Sequence, residues 1–113
     1  MFDLPALAGE SSPPPTLHAA PGCIAVRIQD GDRVLLSQQL HHTDPITIGP
    51  SAPATLPVLD TAWQDRSLVL SYDRIHAGWQ LRRTDRASTP QRPRRAGTVM
   101  LDGALAISWH SPL

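Results

Sequence analysis

Arginine is the residue type with the clearest chemical potential in this 113-residue chain. Seven arginines fall between Arg74 and Arg95, opposed there only by Asp85. Six of them, Arg82, Arg83, Arg86, Arg92, Arg94 and Arg95, lie in or just before the stretch from Thr84 to Ala96, whose only apolar residues besides proline are Ala87 and Ala96. A guanidinium is a planar, permanently charged fork that matches carboxylate and phosphate oxygens. The cluster therefore points to an acidic protein surface or a nucleic acid as ligand. The competing reading is a solvated loop that keeps a sheet edge from aggregating. No aromatic residue is interleaved with these arginines to stack on bases.

Other reactive side chains do not converge. His41 and His42 are adjacent, so on a strand they point to opposite faces and cannot share one metal. His18, His76 and His110 are scattered, and Cys23 is the only cysteine. A cysteine at a strand start is more often a small buried hydrophobe than a nucleophile. Ser71, Asp73 and His76 lie close together, but no strained-turn nucleophile motif surrounds them, and a surface hairpin accounts for them. Gly49 and Gly97 stand alone and form no phosphate-cradling loop. These observations argue against an enzyme and call for no metal or cofactor.

Composition sets the elements that must carry the arginines. The length matches one domain, and 41% apolar residues are enough for a modest core. Twelve prolines and seven glycines suit short strands joined by tight turns better than helices. The formal net charge of zero excludes binding through a global basic field. A lone cysteine fits a reducing compartment. Met1-Phe2-Asp3-Leu4-Pro5 lacks the basic start and apolar core of a secretory signal, and no stretch is long enough to span a bilayer. The expectation is a cytoplasmic protein.

Residues 1–21, with Ser11-Ser12-Pro13-Pro14-Pro15, read as a flexible tail, and residues 22–113 as the folded domain. Ile24, Val26 and Ile28 alternate with Ala25, Arg27 and Gln29, the period-2 pattern of a half-buried strand. Asp30-Gly31-Asp32 supplies a turn into a partner strand over Arg33 to Leu40. Ile46-Thr47-Ile48 is a short strand between Pro45 and a turn at Gly49-Pro50. Ala52 to Pro57 is too proline-rich for a central strand. Leu56, Val58 and Leu59 are expected in the core, and Trp63 is expected to anchor the connection. Ser67 to Tyr72 and Trp79 to Leu81 form a second hairpin. Thr98 to Leu101 and Ala104 to Trp109 form a third, around an Asp102-Gly103 turn expected to be type I′. About eight short strands with these turns predict an all-β fold, a β-sandwich.

With the strands placed, the order of motifs resembles a divergent forkhead-associated (FHA) domain over Gly22 to Leu113. Ile46-Thr47-Ile48-Gly49-Pro50-Ser51 resembles the family's strand-to-loop motif, in which apolar alternation ends in Gly-Arg-Ser. Leu56-Pro57-Val58-Leu59-Asp60 resembles its leucine-proline-aspartate segment, and Gly78-Trp79-Gln80-Leu81 the strand closing the next hairpin. Ala96-Gly97-Thr98 and Asp102-Gly103 resemble the family's Asn-Gly-Thr and Asn-Gly pair.

The resemblance implies an FHA-like sandwich without the phosphothreonine site. The family's phosphate-binding arginine position holds Pro50, its asparagine position holds Ala96, and no Ser-x-x-His pattern occurs around Ala62 to Arg66. Only Ser51 matches a phosphate-contacting type. Similar degenerate domains serve as protein-contact modules in cytoplasmic parts of bacterial secretion machinery. The resemblance thus implies a non-enzymatic interaction module at the inner face of a membrane assembly. Its partner surface would be an exposed edge, or Ser51 and the loops carrying Trp63 and Arg82 to Arg95. A small β domain that binds nucleic acid or an acidic partner through the arginine loop is the alternative.

Overall fold

A computed structural model describes residues 17–41, 45–50, 54–63, 66–84 and 92–112. All regular structure in these residues is β. In chain order the strands are β1 (Cys23–Asp30), β2 (Arg33–His41), β3 (Ile46–Gly49), β4 (Leu56–Pro57), β5 (Leu68–Asp73), β6 (Gly78–Arg83), β7 (Ala96–Asp102) and β8 (Leu105–His110). They form two four-stranded sheets, ordered β2-β1-β8-β7 and β4-β3-β5-β6. All pairings are antiparallel except β3 with β4. No described helix is long and apolar enough to cross a membrane.

Alternation explains how the sheets close on each other. Ile24, Val26 and Ile28 of β1 and Leu105, Ile107 and Trp109 of β8 face inward. They meet Ile46, Ile48, Leu68, Leu70, Trp79 and Leu81 of the second sheet, with Leu56, Val58 and Trp63 completing a single core. Each fully buried Ile or Leu contributes roughly 1.5–3 kcal/mol relative to exposure, so this shared layer supplies the main driving force of the sandwich. Leu59 is 79% exposed and lies outside that core, contrary to expectation. Alternation through Leu56-Pro57-Val58-Leu59 turns the first and third residues inward and the other two out.

Both sequence-predicted Gly turns form, the first within Asp30-Gly31-Asp32 as expected and the second one residue later than Asp102-Gly103. Asp30 pairs with Arg33 and Asp102 with Leu105, which leaves Gly31-Asp32 and Gly103-Ala104 as the two-residue loops. Only the glycines take positive φ, +63° and +58°. A type I′ turn needs positive φ at both central residues, whereas glycine at the first position alone satisfies the primed alternative. The two turns lie side by side, Gly31 N donating to Ala104 O at 2.9 Å. Each hairpin also carries a register shift close to its turn, at Ile28/Gln29 and at Met100/Asp102.

The last residues of the expected tail lie on the outer face of the first sheet. Ala19 N donates to His110 Nδ1 at 3.2 Å and Ala20 N to the Gln39 side-chain oxygen at 2.8 Å. Both acceptors flank Ala25 in the sheet register, which explains why this outward-facing alanine is only 3% exposed. Residues 1–16 lie outside the described residues.

Candidate functional site

The connection from β6 to β7 carries the arginines, and its last part is built into the fold. Trp79 N donates to Arg94 O at 2.7 Å and Arg94 N to Trp79 O at 2.9 Å, an antiparallel bridge on the open edge of β6. Gly78 permits this approach, because a Cβ there would sit 2.6 Å from Arg94 N. On the other side, Trp109 Nε1 donates to Arg94 O at 3.1 Å and Ser111 N to Arg95 O at 2.7 Å. The backbone at Arg94 and Arg95 is therefore tied to both sheets, while the side chains of Arg92, Arg94 and Arg95 are exposed. Arg82 is exposed on β6, the strand that Arg94 bridges. This part of Thr84 to Ala96 is not a free loop, as sequence alone led one to expect, because Arg94 is a sheet partner.

Not every predicted contact residue belongs to that surface. Arg83 is largely enclosed, its side chain 12% exposed, and it donates to Asp102 Oδ2 at 3.3 Å. Trp63 is fully buried, so it is the expected anchor and offers nothing to a partner. Both are corrections to the partner-contact set. Ser51 and Arg86 lie outside the described residues.

Trp63 and Arg83 meet in a polar clamp that sequence reasoning missed. Arg66 Nε donates to Asp102 Oδ2 at 2.9 Å, and its Nη1 donates to the carbonyls of Trp63 at 2.7 Å and Ala62 at 3.4 Å. In return, Trp63 Nε1 donates to Arg66 O at 2.9 Å. One carboxylate at the end of β7 thus holds two arginines from the opposite sheet region. Asp102 reads in the sequence only as a turn residue, and Arg66 precedes it by 36 positions. No local pattern signals the pair.

Two further carboxylates, Asp60 and Asp73, close turns. Asp60 accepts from Arg33 at 2.9 Å and from Ala62 N at 2.9 Å. The Arg33 guanidinium first, and that amide second, hold its carboxyl below the usual carboxylate range. Asp73 accepts from His76 Nδ1 at 3.0 Å, His76 N at 3.2 Å and Ile75 N at 2.9 Å. The His76 side chain is the main reason its carboxyl is also lowered. Asp73 and His76 thus fasten the β5–β6 turn. Cys23 Sγ lies 3.9 Å from His41 Nδ1, and His42 is outside the described residues. Among the described residues no three His, Cys, Asp or Glu side chains are grouped to hold a metal ion.

The outer face of the first sheet holds two shallow depressions of about 410 and 420 Å³ that meet at Arg27, Thr98 and Ser108. Thr98 and Ser108 are cross-strand partners with hydroxyls 2.9 Å apart. At the FHA-type positions, Pro50 and Ala96 are both exposed and neither provides a charged donor.

Comparison with protein-family models, curated proteins and solved structures finds no match to this chain.

Proposed function

We propose that this chain is a non-enzymatic protein-interaction module on an FHA-like scaffold, meeting an acidic partner through Arg82, Arg92, Arg94 and Arg95. The observation that carries this reading is the Trp79–Arg94 bridge. It fixes the backbone of an exposed cationic segment against a sheet, so less conformational entropy is lost on binding than from a free loop. The FHA-like part is supported by the placement of its motifs. Ile46–Gly49 is a strand ending at Pro50, Leu56–Pro57 is a short edge strand, and Ala96–Asp102 leads into the Gly103 turn. The family resemblance extends the proposal to a place at the cytoplasmic face of a membrane-associated bacterial secretion assembly.

Phosphothreonine is not the proposed ligand. A phosphate dianion needs a convergent set of charge-assisted donors to offset its desolvation, and Pro50 and Ala96 supply none. Nucleic acid is the weaker alternative, since Trp79 and Trp109, the aromatics beside Arg94, are buried and offer no stacking face.

The test is a binding titration of the full chain against an acidic peptide, duplex DNA and a phosphothreonine peptide at two salt concentrations. The acidic peptide is expected to bind, and a combined Arg82→Gln, Arg92→Gln, Arg94→Gln variant to lose it. Tighter binding of DNA with a steep salt slope would replace the protein-partner reading with nucleic-acid recognition. A selective, salt-resistant phosphopeptide would overturn the loss of the phosphothreonine site.

A further inference from the structure

Residues 17–20 cross the first sheet along a single row of side chains. Gln39 of β2, Ala25 of β1, His110 of β8 and Ala96 of β7 are register partners in turn. Ala20 N donates to the Gln39 side chain at 2.8 Å, and Ala19 N to His110 Nδ1 at 3.2 Å. The His18 ring stands edge-on to that of His110, with 5.6 Å between centroids. Leu17 reaches Ala96 and Gly97, with which it lines the depression of about 410 Å³. Followed from Ala20 back to Leu17, this strap runs from β2 to β7, the full width of the sheet. It delivers the preceding chain to the edge where Arg95 leads into β7 and Arg94 bridges to β6.

Among the described residues no ion pair reaches Arg82, Arg92, Arg94 or Arg95. Asp60 is engaged by Arg33, Asp73 by His76, and Asp102 by Arg66 and Arg83. Asp30 and Asp32 flank Gly31 at the other end of β7, where Gly31 N meets Ala104 O. By contrast, the sixteen residues before Leu17 carry Asp3 and Glu10 and no arginine, lysine or histidine. We propose that this acidic stretch, Asp3 to Glu10, is the resident occupant of the arginine surface, a contact within the chain that an acidic partner has to displace. The proposal rests on the reading of Arg82, Arg92, Arg94 and Arg95 as a contact surface.

Reach and charge both fit. Glu10 stands seven residues before Leu17 and extends at most about 23–25 Å from it. Arg92 stands four residues before Ala96, no more than about 14 Å away, so the two can meet without a stretched chain. Exposed carboxylate–guanidinium pairs are individually weak, but joining the segment to the domain gives it a high local concentration at the arginines. The result is a shallow, reversible cover, open to displacement by a ligand that carries more negative charge.

Nuclear magnetic resonance of the full chain locates the segment, with a combined Asp3→Asn, Glu10→Gln variant as the comparison. The Nε–H and backbone amide signals of Arg92, Arg94 and Arg95, remote from both substitutions in sequence, should differ between the two proteins. That difference should vanish at roughly 1 M salt, where the Debye length is about 3 Å. At low salt the variant should also bind the acidic peptide at least about threefold more tightly than wild type. Signal changes confined to the neighbours of residues 3 and 10, or centred on Arg27 or Arg74, overturn the inference. So does a peptide that binds both proteins equally. A peptide that binds neither overturns the acidic-partner reading alone, because the arginine signals still decide where the segment lies.

Discussion

Gly78→Ala should loosen the arginine segment through backbone alone. The added Cβ would lie 2.6 Å from Arg94 N, 2.9 Å from the Pro93 carbonyl carbon and 3.0 Å from the Arg94 carbonyl carbon. None of these atoms can rotate away, so the segment has to retreat by about 0.8 Å to reach ordinary contact. Such a shift takes both Trp79–Arg94 hydrogen bonds, now 2.7 and 2.9 Å, to the limit of useful geometry. Losing the two costs about 1–3 kcal/mol. Residual crowding adds about 1–3 kcal/mol. Gly78 does not sit in the left-handed region, so no conformational penalty enters and the effect is steric. At about 4 °C per kcal/mol for a domain of this size, Tm should fall by roughly 8–24 °C. Gly49→Ala is the control, because its nearest neighbour would be Ala54 Cβ at an ordinary 3.6 Å. Thermal melting followed by circular dichroism gives the magnitude, and hydrogen exchange at Trp79 and Arg94 gives the cause. A Gly78→Ala protein melting within about 2 °C of wild type would refute the reasoning. A large loss with both amides still protected would place the damage elsewhere.

Substitutions at three other positions probe the clamp, the strained turn and the acid response. Asp102→Ala leaves Arg66 and Arg83 without their carboxylate and should cost about 2–3 kcal/mol by chemical denaturation; Asp102→Asn, which keeps an acceptor, should cost less. Ala77 is the only described non-glycine residue with positive φ, 52°, so Ala77→Gly should stabilise by about 0.5–1 kcal/mol, read as a higher Tm. Asp60 and Asp73 are held below the usual carboxylate range by Arg33 and His76. Their contribution is present above the unfolded-state pKa and is lost as pH falls through the ordinary carboxylate range toward the folded values. Tm should therefore decline on acidification below about pH 4, and Asp60→Asn should flatten part of that decline.

The strands were legible because alternation is a local property. Ile24-Ala25-Val26-Arg27-Ile28 and Leu68-Val69-Leu70 announce their buried faces residue by residue, and the structure buries Ile24, Val26, Ile28, Leu68 and Leu70. The Asp102-Gly103 turn was legible in place but not in phase. Asp-Gly marks where a hairpin reverses, yet whether aspartate or the following residue shares the loop depends on the register of the whole strand pair. The clamp was not legible. Arg66, Arg83 and Asp102 acquire their relation only when the two sheets pack, and each has an innocent local explanation as a loop or turn residue. The arginine surface was half legible. Sequence singled out the arginine-rich stretch, but only the tertiary structure separates exposed Arg82, Arg92, Arg94 and Arg95 from enclosed Arg83. The burial of Ala25 likewise depends on residues 17–20 crossing its face, which no pattern within β1 foretells.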